Sequence, residues 1–179
     1  MTLDGIWDHT VGIPDNEIHQ HYTELLRNAD AILYGRTTYQ LMEFWRPFIE
    51  NPSDEKSMND FAIAIDRIRK IVFSNTIKEV DWKTARLANQ GLQETVLELK
   101  QQSGKDILIG SRSLIMQLLK LDLIDELQLC IYPMVEGKGL PLFEGVKDRM
   151  MLKRLRAKTF HSGAIILYYE PLKNTDHKI

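Results

Sequence analysis

Three short, mainly apolar runs occur in the first two thirds of the chain, and each is followed by a small or polar residue. They cover residues 31–34, 70–73 and 106–109 and are followed by Gly35, Ser74 and Gly110. Apolar runs without polar alternation are typical of strands covered on both faces, as in parallel sheets. We therefore predict three buried parallel strands, with 106–109 in the middle of the fold.

Helical periodicity occupies most of the sequence between these runs. Apolar residues spaced by three and four positions predict helices that start near Asp15, Thr37 or Thr38, Ser53, residue 91, and Ser111 or Ser113. The last helix carries Leu114, Ile115, Met116, Leu118 and Leu119 and is apolar almost all round. A helix with so little polar surface is expected to be buried.

The pattern changes after residue 122. Residues 125–132 alternate between polar and apolar, and 152–160 and 164–170 predict an antiparallel pair joined by a turn at Gly163. Strand–helix units followed by antiparallel strands indicate an α/β fold with a mixed, mostly parallel sheet, helices on both faces and a C-terminal antiparallel strand pair. At 179 residues we expect one domain spanning 1–179.

Composition excludes several classes of protein. The chain is 44% hydrophobic and 27% charged with a net charge of -2, and no block of Lys or Arg predicts binding to nucleic acid or to a membrane surface. No apolar run reaches the roughly 18 residues of a membrane-spanning helix. Cys130 is the single cysteine, so no internal disulfide forms. A reducing, cytoplasmic location is expected, with Cys130 as a packing residue.

The residues after the three strands carry the candidate chemistry. They are Gly35-Arg36-Thr37, Ser74-Asn75 and Gly110-Ser111-Arg112. Ligands of open α/β sheets bind outside the carboxyl ends of the strands. If the strands are parallel neighbours, helix N-termini, arginines and hydroxyls converge there and suit a phosphorylated ligand such as a dinucleotide. The alternative is an ordinary set of turns in which Ser111 or Ser113 caps a helix.

Other signatures are weaker. Gly137-Lys138-Gly139 is followed by Leu-Pro-Leu, so no helix opens there and the Rossmann fingerprint is not met. His19 and His21 are two residues apart on a predicted helix and face different ways, so no metal site is predicted. Aromatic residues, among them Trp45 and Trp82, are interpreted as core or rim packing. The charged run 148–156 is interpreted as the solvent-exposed face of a strand or helix.

These motifs together resemble a known family. The chain is similar to stand-alone proteins of the dihydrofolate-reductase fold. The likeness lies in the segments Thr2-Leu3-Asp4-Gly5, 29–39 and 109–114, and in Asp125-Glu126 followed by Pro133-x-x-x-Gly137-x-Gly139-x-x-Leu142-Phe143. These stand-alone proteins are related to the reductase (C-terminal) domain of the riboflavin-biosynthesis bifunctional deaminase–reductase. The resemblance covers almost the whole chain and implies a three-layer dihydrofolate-reductase-like fold. The family carries a central strand before the Leu-Asp-Gly motif, and Met1-Thr2 corresponds to no more than its tail. The sequence leaves open whether the start is incomplete or the sheet is completed in another way.

The resemblance also implies a cofactor and the residues that would hold it. By likeness NADPH is the cofactor, with Arg36 at its 2′-phosphate side and Thr37 or Thr38 at the pyrophosphate. Further cofactor-binding candidates are Gly35, Ser74, Asn75, Gly110, Ser111, Arg112, Ser113 and Leu114. Gly110-Ser111 stands where the family has two glycines. The acid that holds the pterin in dihydrofolate reductases falls on His19, with Asp15 and Glu17 nearby.

Three functions follow as hypotheses. The first is an NADPH-dependent oxidoreductase that transfers a hydride to a small heterocyclic or conjugated substrate, pyrimidine-like or pterin-like, with Asp4, Glu17 and His19 as catalytic candidates. His19 is the natural proton donor near neutral pH. The second is a non-catalytic or vestigial nucleotide-binding protein with the same fold. The third, within enzymes, is dihydrofolate reductase proper. A homodimer is expected from the family likeness.

Overall fold

The protein is described from a computed structural model, which covers residues 1–7 and 15–172. The helices are α1 (Asn16–Arg27), α2 (Arg36–Met42), α3 (Pro47–Glu50), α4 (Lys56–Arg67), α5 (Leu92–Gln101) and α6 (Arg112–Lys120), with a 3₁₀ turn at Glu43–Trp45. The strands are β1 (Ala29–Gly35), β2 (Arg69–Phe73), β3 (Ala85–Leu87), β4 (Asp106–Ile109), β5 (Leu127–Ile131), β6 (Leu152–Thr159) and β7 (Ile165–Pro171). No helix within these ranges is both long and apolar enough to cross a membrane.

The chain forms two compact units. The parallel unit comprises Asn16–Ile115, and the antiparallel unit comprises Met1–Asp15 with Met116–Ile179. The parallel unit holds a four-stranded sheet in the order β3-β2-β1-β4, and the antiparallel unit holds a three-stranded sheet in the order β5-β7-β6. The predicted α/β class is confirmed. The single mixed sheet is resolved into two sheets, because β4 pairs with β1 and β5 pairs with β7.

Strand β1 lies inside the parallel sheet and is its most buried strand. Residues 31–35 are all buried, since β2 and β4 flank β1 in parallel register. Helices α1 and α4 pack on each other and contribute Ile18, Leu26, Ala62 and Ile65 to the core. The apolar run of β1 is thus explained by burial on both faces, as its sequence predicts.

The expectation that 106–109 lies buried in the middle of the fold is wrong. Strand β4 is an edge of the parallel sheet, and Ile107, Leu108 and Ile109 are only half-buried. Its single strand neighbour is β1, so one side of β4 lacks the cover that a central strand receives. The following helix α6 is buried as predicted, with its five large apolar side chains at most 8% exposed.

A lysine is fully buried in β2. Lys70 Nζ donates to the carbonyl oxygens of Asp66 and Ile68 at the end of α4, at 3.1 and 2.9 Å, and to Thr84 Oγ1 at 2.7 Å. It lies 4.0 Å from the ring centroid of Trp82, whose Nε1 donates to Asp66 Oδ1. A cation at a helix C-terminus is favourable. Burial nevertheless lowers the pKa of Lys70 to about 8.

The antiparallel sheet confirms the predicted C-terminal strand pair. β6 pairs with β7, and Arg154 and Arg156 flank a bulge in β6. Every residue of β6 after Leu152 is exposed, in agreement with a solvated charged face. The guanidinium of Arg156 lies 3.8 Å from the ring centroid of Tyr168 and bonds both carboxylate oxygens of Glu126 at 2.8 and 3.1 Å. These contacts fix β6 to its neighbours.

The first residues of the chain lie along the free edge of β5. The Met1 amine donates to the Cys130 carbonyl at 2.7 Å, and the Tyr132 N–H donates to the Met1 carbonyl at 2.9 Å. Leu3 N–H then donates to the Met134 carbonyl. The two bonds of Met1 follow the pattern of a parallel pair, the bond of Leu3 departs from it, and residues 1–3 form no regular strand.

The predicted helix caps were less accurate than the helices. α2 begins at Arg36, with Gly35 as its N-cap and no side-chain cap, so neither Thr37 nor Thr38 caps it. Ser53 lies before α4, whose N-cap is Glu55, and its hydroxyl accepts from the Glu55 N–H at 3.3 Å. Ser111 precedes α6, but its hydroxyl bonds β1 instead of its own helix. The partner of the Ser111 hydroxyl is far away in sequence, whereas the Ser53 hydroxyl bonds Glu55 and Asn59 close by.

Candidate functional site

The three polar corners predicted from the sequence meet at one edge of the parallel sheet. β1 is the central strand of the three, and β2 and β4 run parallel to it on either side. Gly35 lies opposite Phe73, so β1 and β2 end at the same level, and Ile109 lies opposite Leu33, so β4 ends two residues earlier at the same edge. This geometry brings the residues that follow β1, β2 and β4 together at the carboxyl edge, where α/β sheets bind ligands.

A buried hydrogen bond joins the corner of β1 to the corner of β4. The Gly35 N–H donates to Ser111 Oγ at 2.8 Å, and Ser111 is 2% exposed. Gly35 is the N-cap of α2, so the bond also fixes the point where that helix starts. The Ser113 hydroxyl lies close by, 3.5 Å from the position that a Cβ on Gly35 would take. Ser111 therefore orients the site, and its side chain is turned into the sheet.

Gly110 is required by the packing of β1. A Cβ at Gly110 would lie 2.6 Å from Cε1 of Tyr34, well inside van der Waals contact. Tyr34 is 2% exposed and has no room to retreat, and burial raises the pKa of its hydroxyl. Glycine at 110 therefore lets the end of β4 approach β1 closely, which keeps the two corners together.

On the β2 side of the site, a chain of polar contacts links Arg36 to the end of β2. Arg36 Nη1 donates to Thr76 Oγ1 at 3.3 Å, and this hydroxyl lies 3.3 Å from Ser74 Oγ. Ser74 Oγ also accepts from the N–H groups of Thr76 and Ile77, at 3.1 and 2.9 Å. Among the described residues, this single long bond holds the exposed Arg36 guanidinium. Sequence reasoning missed Thr76, although Ser74-Asn75-Thr76 is a spacing typical of hydroxyl-capped turns.

The remaining cofactor candidates differ in accessibility. Thr37, Asn75 and Ser113 are exposed, and Thr38, Arg112 and Gly110 are half-buried. Leu114 has a buried side chain, and its N–H donates to the Ser111 carbonyl at 3.1 Å, so it belongs to the core of the unit. The accessible set at this edge is therefore one arginine from each of two helix starts, together with threonine, serine and asparagine side chains.

Asp4, a catalytic candidate, is engaged in a loop of the antiparallel unit. Its carboxylate accepts from the N–H groups of Glu136 and Gly137, at 3.2 and 2.7 Å. Hydrogen bonds from the Thr2 side chain and from these amides lower the pKa of Asp4 to about 2. A carboxylate with a pKa lowered this far is a weak base, and at neutral pH it has no proton to give. Asp4 therefore serves as the clamp of the 134–137 loop.

Glu17 and His19 lie on α1 in the parallel unit. Glu17 is exposed in the first turn of the helix. His19 is half-buried, and its ring packs against Trp45 and Phe61 with centroid distances of 5.7 and 5.9 Å. The His19 imidazole therefore belongs to an aromatic cluster with Trp45 and Phe61. In the described ranges no three His, Cys, Asp or Glu residues are grouped as they would be around a metal ion.

Comparison with known proteins agrees with this architecture. The RibD C-terminal domain profile matches residues 1–166. The chain belongs to the RibD C-terminal domain family. The protein YyaP of Bacillus subtilis (strain 168), described as uncharacterized, is 38% identical over 173 residues, which are 94% of this chain and 90% of YyaP. The family that the sequence motifs suggested is thereby confirmed.

Two solved structures share the fold. A putative riboflavin biosynthesis protein from Shewanella sp. PV-4 superimposes with a TM-score of 0.69 at 21% identity, over 96% of this chain and 95% of that one. A pyrimidine reductase-like protein from Corynebacterium diphtheriae gives a TM-score of 0.65 at 17% identity, over 97% and 89% of the two chains. At these identities the likeness concerns the fold. The family membership itself indicates a reductase-like protein.

Proposed function

We propose that this RibD-family protein is an NADPH-dependent oxidoreductase acting on a small heterocyclic or conjugated substrate. The observation that carries the proposal is the convergence of the β1, β2 and β4 corners at one edge, with Arg36 exposed beside Ser74 and Thr76. Membership of a family of reductase domains supports the same activity. The riboflavin-pathway reaction, reduction of a ribosylamino-pyrimidine, is one member of this substrate class.

The chemistry of these residues fits NADPH. A guanidinium matches the charge and fork geometry of a 2′-phosphate, and the weak Arg36–Thr76 bond leaves it able to turn toward an anion. Arg112 at the start of α6, with the hydroxyls of Thr37, Thr38 and Ser113, would hold the pyrophosphate and ribose. NADPH supplies the hydride when it is bound. The protein supplies position and charge, and Ser111 keeps the β1 and β4 corners in register.

A non-catalytic nucleotide-binding protein is the second candidate. The hydrogen bonds of Asp4 favour this second candidate. Asp4 is one of the three predicted catalytic groups, and its carboxylate already accepts from two backbone amides. Reduction of dihydrofolate is a narrower alternative among enzymes. A homodimer and a cytoplasmic location remain predictions made from the sequence.

Titration with NADPH and NADH tests the proposal. Wild-type protein is expected to bind NADPH with a micromolar dissociation constant and NADH more weakly. Arg36→Ala is expected to weaken NADPH binding at least tenfold and to leave NADH binding nearly unchanged, since only NADPH carries the 2′-phosphate. Arg67→Ala removes an exposed arginine of α4 and is the matched control for net charge. Absence of NADPH binding by the wild type would overturn the proposal.

Turnover separates the enzyme from the binding protein. If NADPH binds, its oxidation is followed at 340 nm, a wavelength set by the cofactor, with pyrimidine, pterin and dihydrofolate substrates. Substrate-dependent oxidation supports a reductase. Tight, Arg36-dependent binding without oxidation across these ring systems supports the non-catalytic alternative.

A further inference from the structure

The stretch between β2 and β3 borders the candidate cofactor site although it has no regular structure. We call residues 74–84 the β2–β3 segment; they form neither helix nor strand. Its first residues, Ser74 and Thr76, belong to the polar chain that ends at Arg36. Within this segment, which the structure describes completely, Trp82 alone is buried. A segment without helix or strand bonds needs its side chains to fix its position.

Trp82 is held by the end of α4 and by β2. Its Nε1 donates to Asp66 Oδ1 at 2.7 Å. The Lys70 ammonium lies 4.0 Å from the centroid of the indole, and it donates to the Ile68 carbonyl and to Thr84 Oγ1. Thr84 Oγ1 in turn donates to the Asp66 carbonyl at 2.6 Å. A bond to a carboxylate and a cation over the ring face are both stronger than neutral contacts, so the indole has a defined orientation.

Trp82 also lies against α2, the helix that begins at the cofactor site. Tyr39 is the buried residue of α2, and its ring centroid is 6.3 Å from that of Trp82. Beyond the end of α2, the Arg46 guanidinium lies 5.7 Å from the centroid of the Trp82 ring and donates to Asp81 at 2.8 Å. The β2–β3 segment therefore contacts α2 at its start, in its middle and beyond its end.

These contacts are unequal in strength. The Arg36–Thr76 bond and the Arg46–Asp81 pair are exposed, and exposed polar contacts contribute little. Burial of a tryptophan contributes far more, because its apolar area is the largest of any side chain. The half-buried side chains of residues 77 and 80 pack against the same core cluster as Trp82. The position of the segment beside α2 therefore depends chiefly on Trp82.

We propose that Trp82 is the positioning residue of the β2–β3 segment and that, through Thr76, it sets the preference of the site for a 2′-phosphate. Trp82 fixes the segment against α2, and this places the Thr76 hydroxyl within reach of the Arg36 guanidinium. Because Trp82 is buried, it acts on the site through the segment. The effect on cofactor preference rests on the proposed function, whereas the anchoring of the segment does not.

A double-mutant cycle on cofactor preference tests the path from Trp82 to Thr76. Trp82→Phe keeps an aromatic ring but removes the donor to Asp66, and the ratio of NADPH to NADH affinity should fall about two- to fivefold, the effect of losing one weak hydrogen bond. In a Thr76→Val background the same substitution should leave the ratio unchanged, because the contact through which it acts is already lost. A fall of equal size in both backgrounds, or no fall in either, would overturn the proposal.

Variants of Asp66 and Leu99 distinguish positioning from stability alone. Asp66→Ala removes the acceptor of the Trp82 Nε1 proton and should lower the ratio, whereas Asp66→Asn keeps an acceptor oxygen and should restore it. Leu99→Ala removes a buried side chain of α5 outside the core cluster around Trp82. This control should lower stability and leave the ratio unchanged. An equal fall of the ratio in Leu99→Ala would show that general destabilisation is sufficient, and would overturn the role given to Trp82.

Amide hydrogen exchange lets this proposal and the reductase proposal fail separately. The N–H groups of Thr76 and Ile77 donate to Ser74 Oγ, and they should exchange faster in Trp82→Phe than in the wild type, while the buried Gly35 N–H should be unchanged. Faster exchange in a protein whose wild type binds no NADPH supports the anchoring role of Trp82 and overturns the reductase. Unchanged exchange at these two amides overturns the anchoring role and leaves the reductase standing.

Discussion

The backbone N–H of Gly35 donates a 2.8 Å hydrogen bond to the side chain of Ser111, which lies 76 residues further along the chain. Both residues are buried; Gly35 is the last residue of β1, and Ser111 lies two residues after β4. The bond satisfies the amide at the start of α2 and holds the candidate cofactor site together. A buried amide without a partner costs free energy, so the serine at this corner stabilises the fold as well as the site.

Ser111→Ala is expected to destabilise the protein. The Gly35 N–H would lose its partner in a buried position, which lowers the free energy of unfolding by about 1–3 kcal/mol. Urea denaturation followed by circular dichroism measures the change. Ser113→Ala, at an exposed position two residues away, is the control and should change the free energy by no more than about 0.5 kcal/mol. Equal effects of the two substitutions would contradict the role given to Ser111.

Lys70 is expected to make stability depend on pH in the alkaline range. Its folded-state pKa of about 8 lies below the ordinary 10.5, so between these values the unfolded chain binds the proton and the folded chain has released it. The free energy of unfolding contributed by Lys70 therefore rises with pH from about 8 to 10.5, by at most roughly 3 kcal/mol. Below pH 8 both states are protonated and the contribution is constant.

Denaturation of wild type and Lys70→Met at pH 7 to 10 checks this dependence. The difference in unfolding free energy, wild type minus variant, should increase with pH above 8. Lys83→Met removes an exposed ammonium from the same unit and is the control, with a small effect expected. A difference that is flat or falls with pH would refute the burial of a charged Lys70.

Asp4→Ala is expected to release the 134–137 loop. The carboxylate accepts from two amides of this loop, at Glu136 and Gly137, and truncation removes that acceptor. Amide hydrogen exchange at these two positions should become faster, while exchange in β7 should be unchanged. Unaltered exchange at Glu136 and Gly137 would contradict the clamp.

The same amides report the ionisation of Asp4. Because its pKa is lowered to about 2, the clamp is complete above the ordinary value of 3.8 and weakens as pH falls through 2. The amide shifts of Glu136 and Gly137 should titrate with an apparent pKa near 2. An enzyme pH profile in the neutral range should carry no contribution from Asp4.

Thr76→Val is expected to change cofactor preference through Arg36. Its hydroxyl is the acceptor for the Arg36 guanidinium at 3.3 Å, so the substitution removes a positioning contact without altering charge. The preference for NADPH over NADH should fall about two- to fivefold, the value of a weak exposed hydrogen bond. Thr76→Ser keeps the hydroxyl and should keep the preference. A loss of affinity for both cofactors alike would point to a general disturbance of the turn.

Much of the architecture could be predicted from local sequence. The apolar run before Gly35 and the helix-period apolar stripe of α4 are each explained by a period of side chains that must be buried. The polar corners were found for the same reason, since apolar strands must end where solvent begins. The family motifs added the prediction that NADPH is the cofactor and that these corners would bind it.

What the sequence determined about this protein is the set of elements, their order, the family and the residues at the strand ends. The tertiary structure decided which strand is central: β1 is enclosed by two neighbours and β4 is an edge, although both runs look equally apolar. It also decided that Ser111 faces Gly35, that Asp4 clamps a loop 133 residues away, and that Lys70 is buried against Trp82. The local pattern of apolar and polar residues predicts which side chains are buried. It does not predict which residue each buried side chain contacts, because those contacts join residues far apart in sequence and form only when the chain folds.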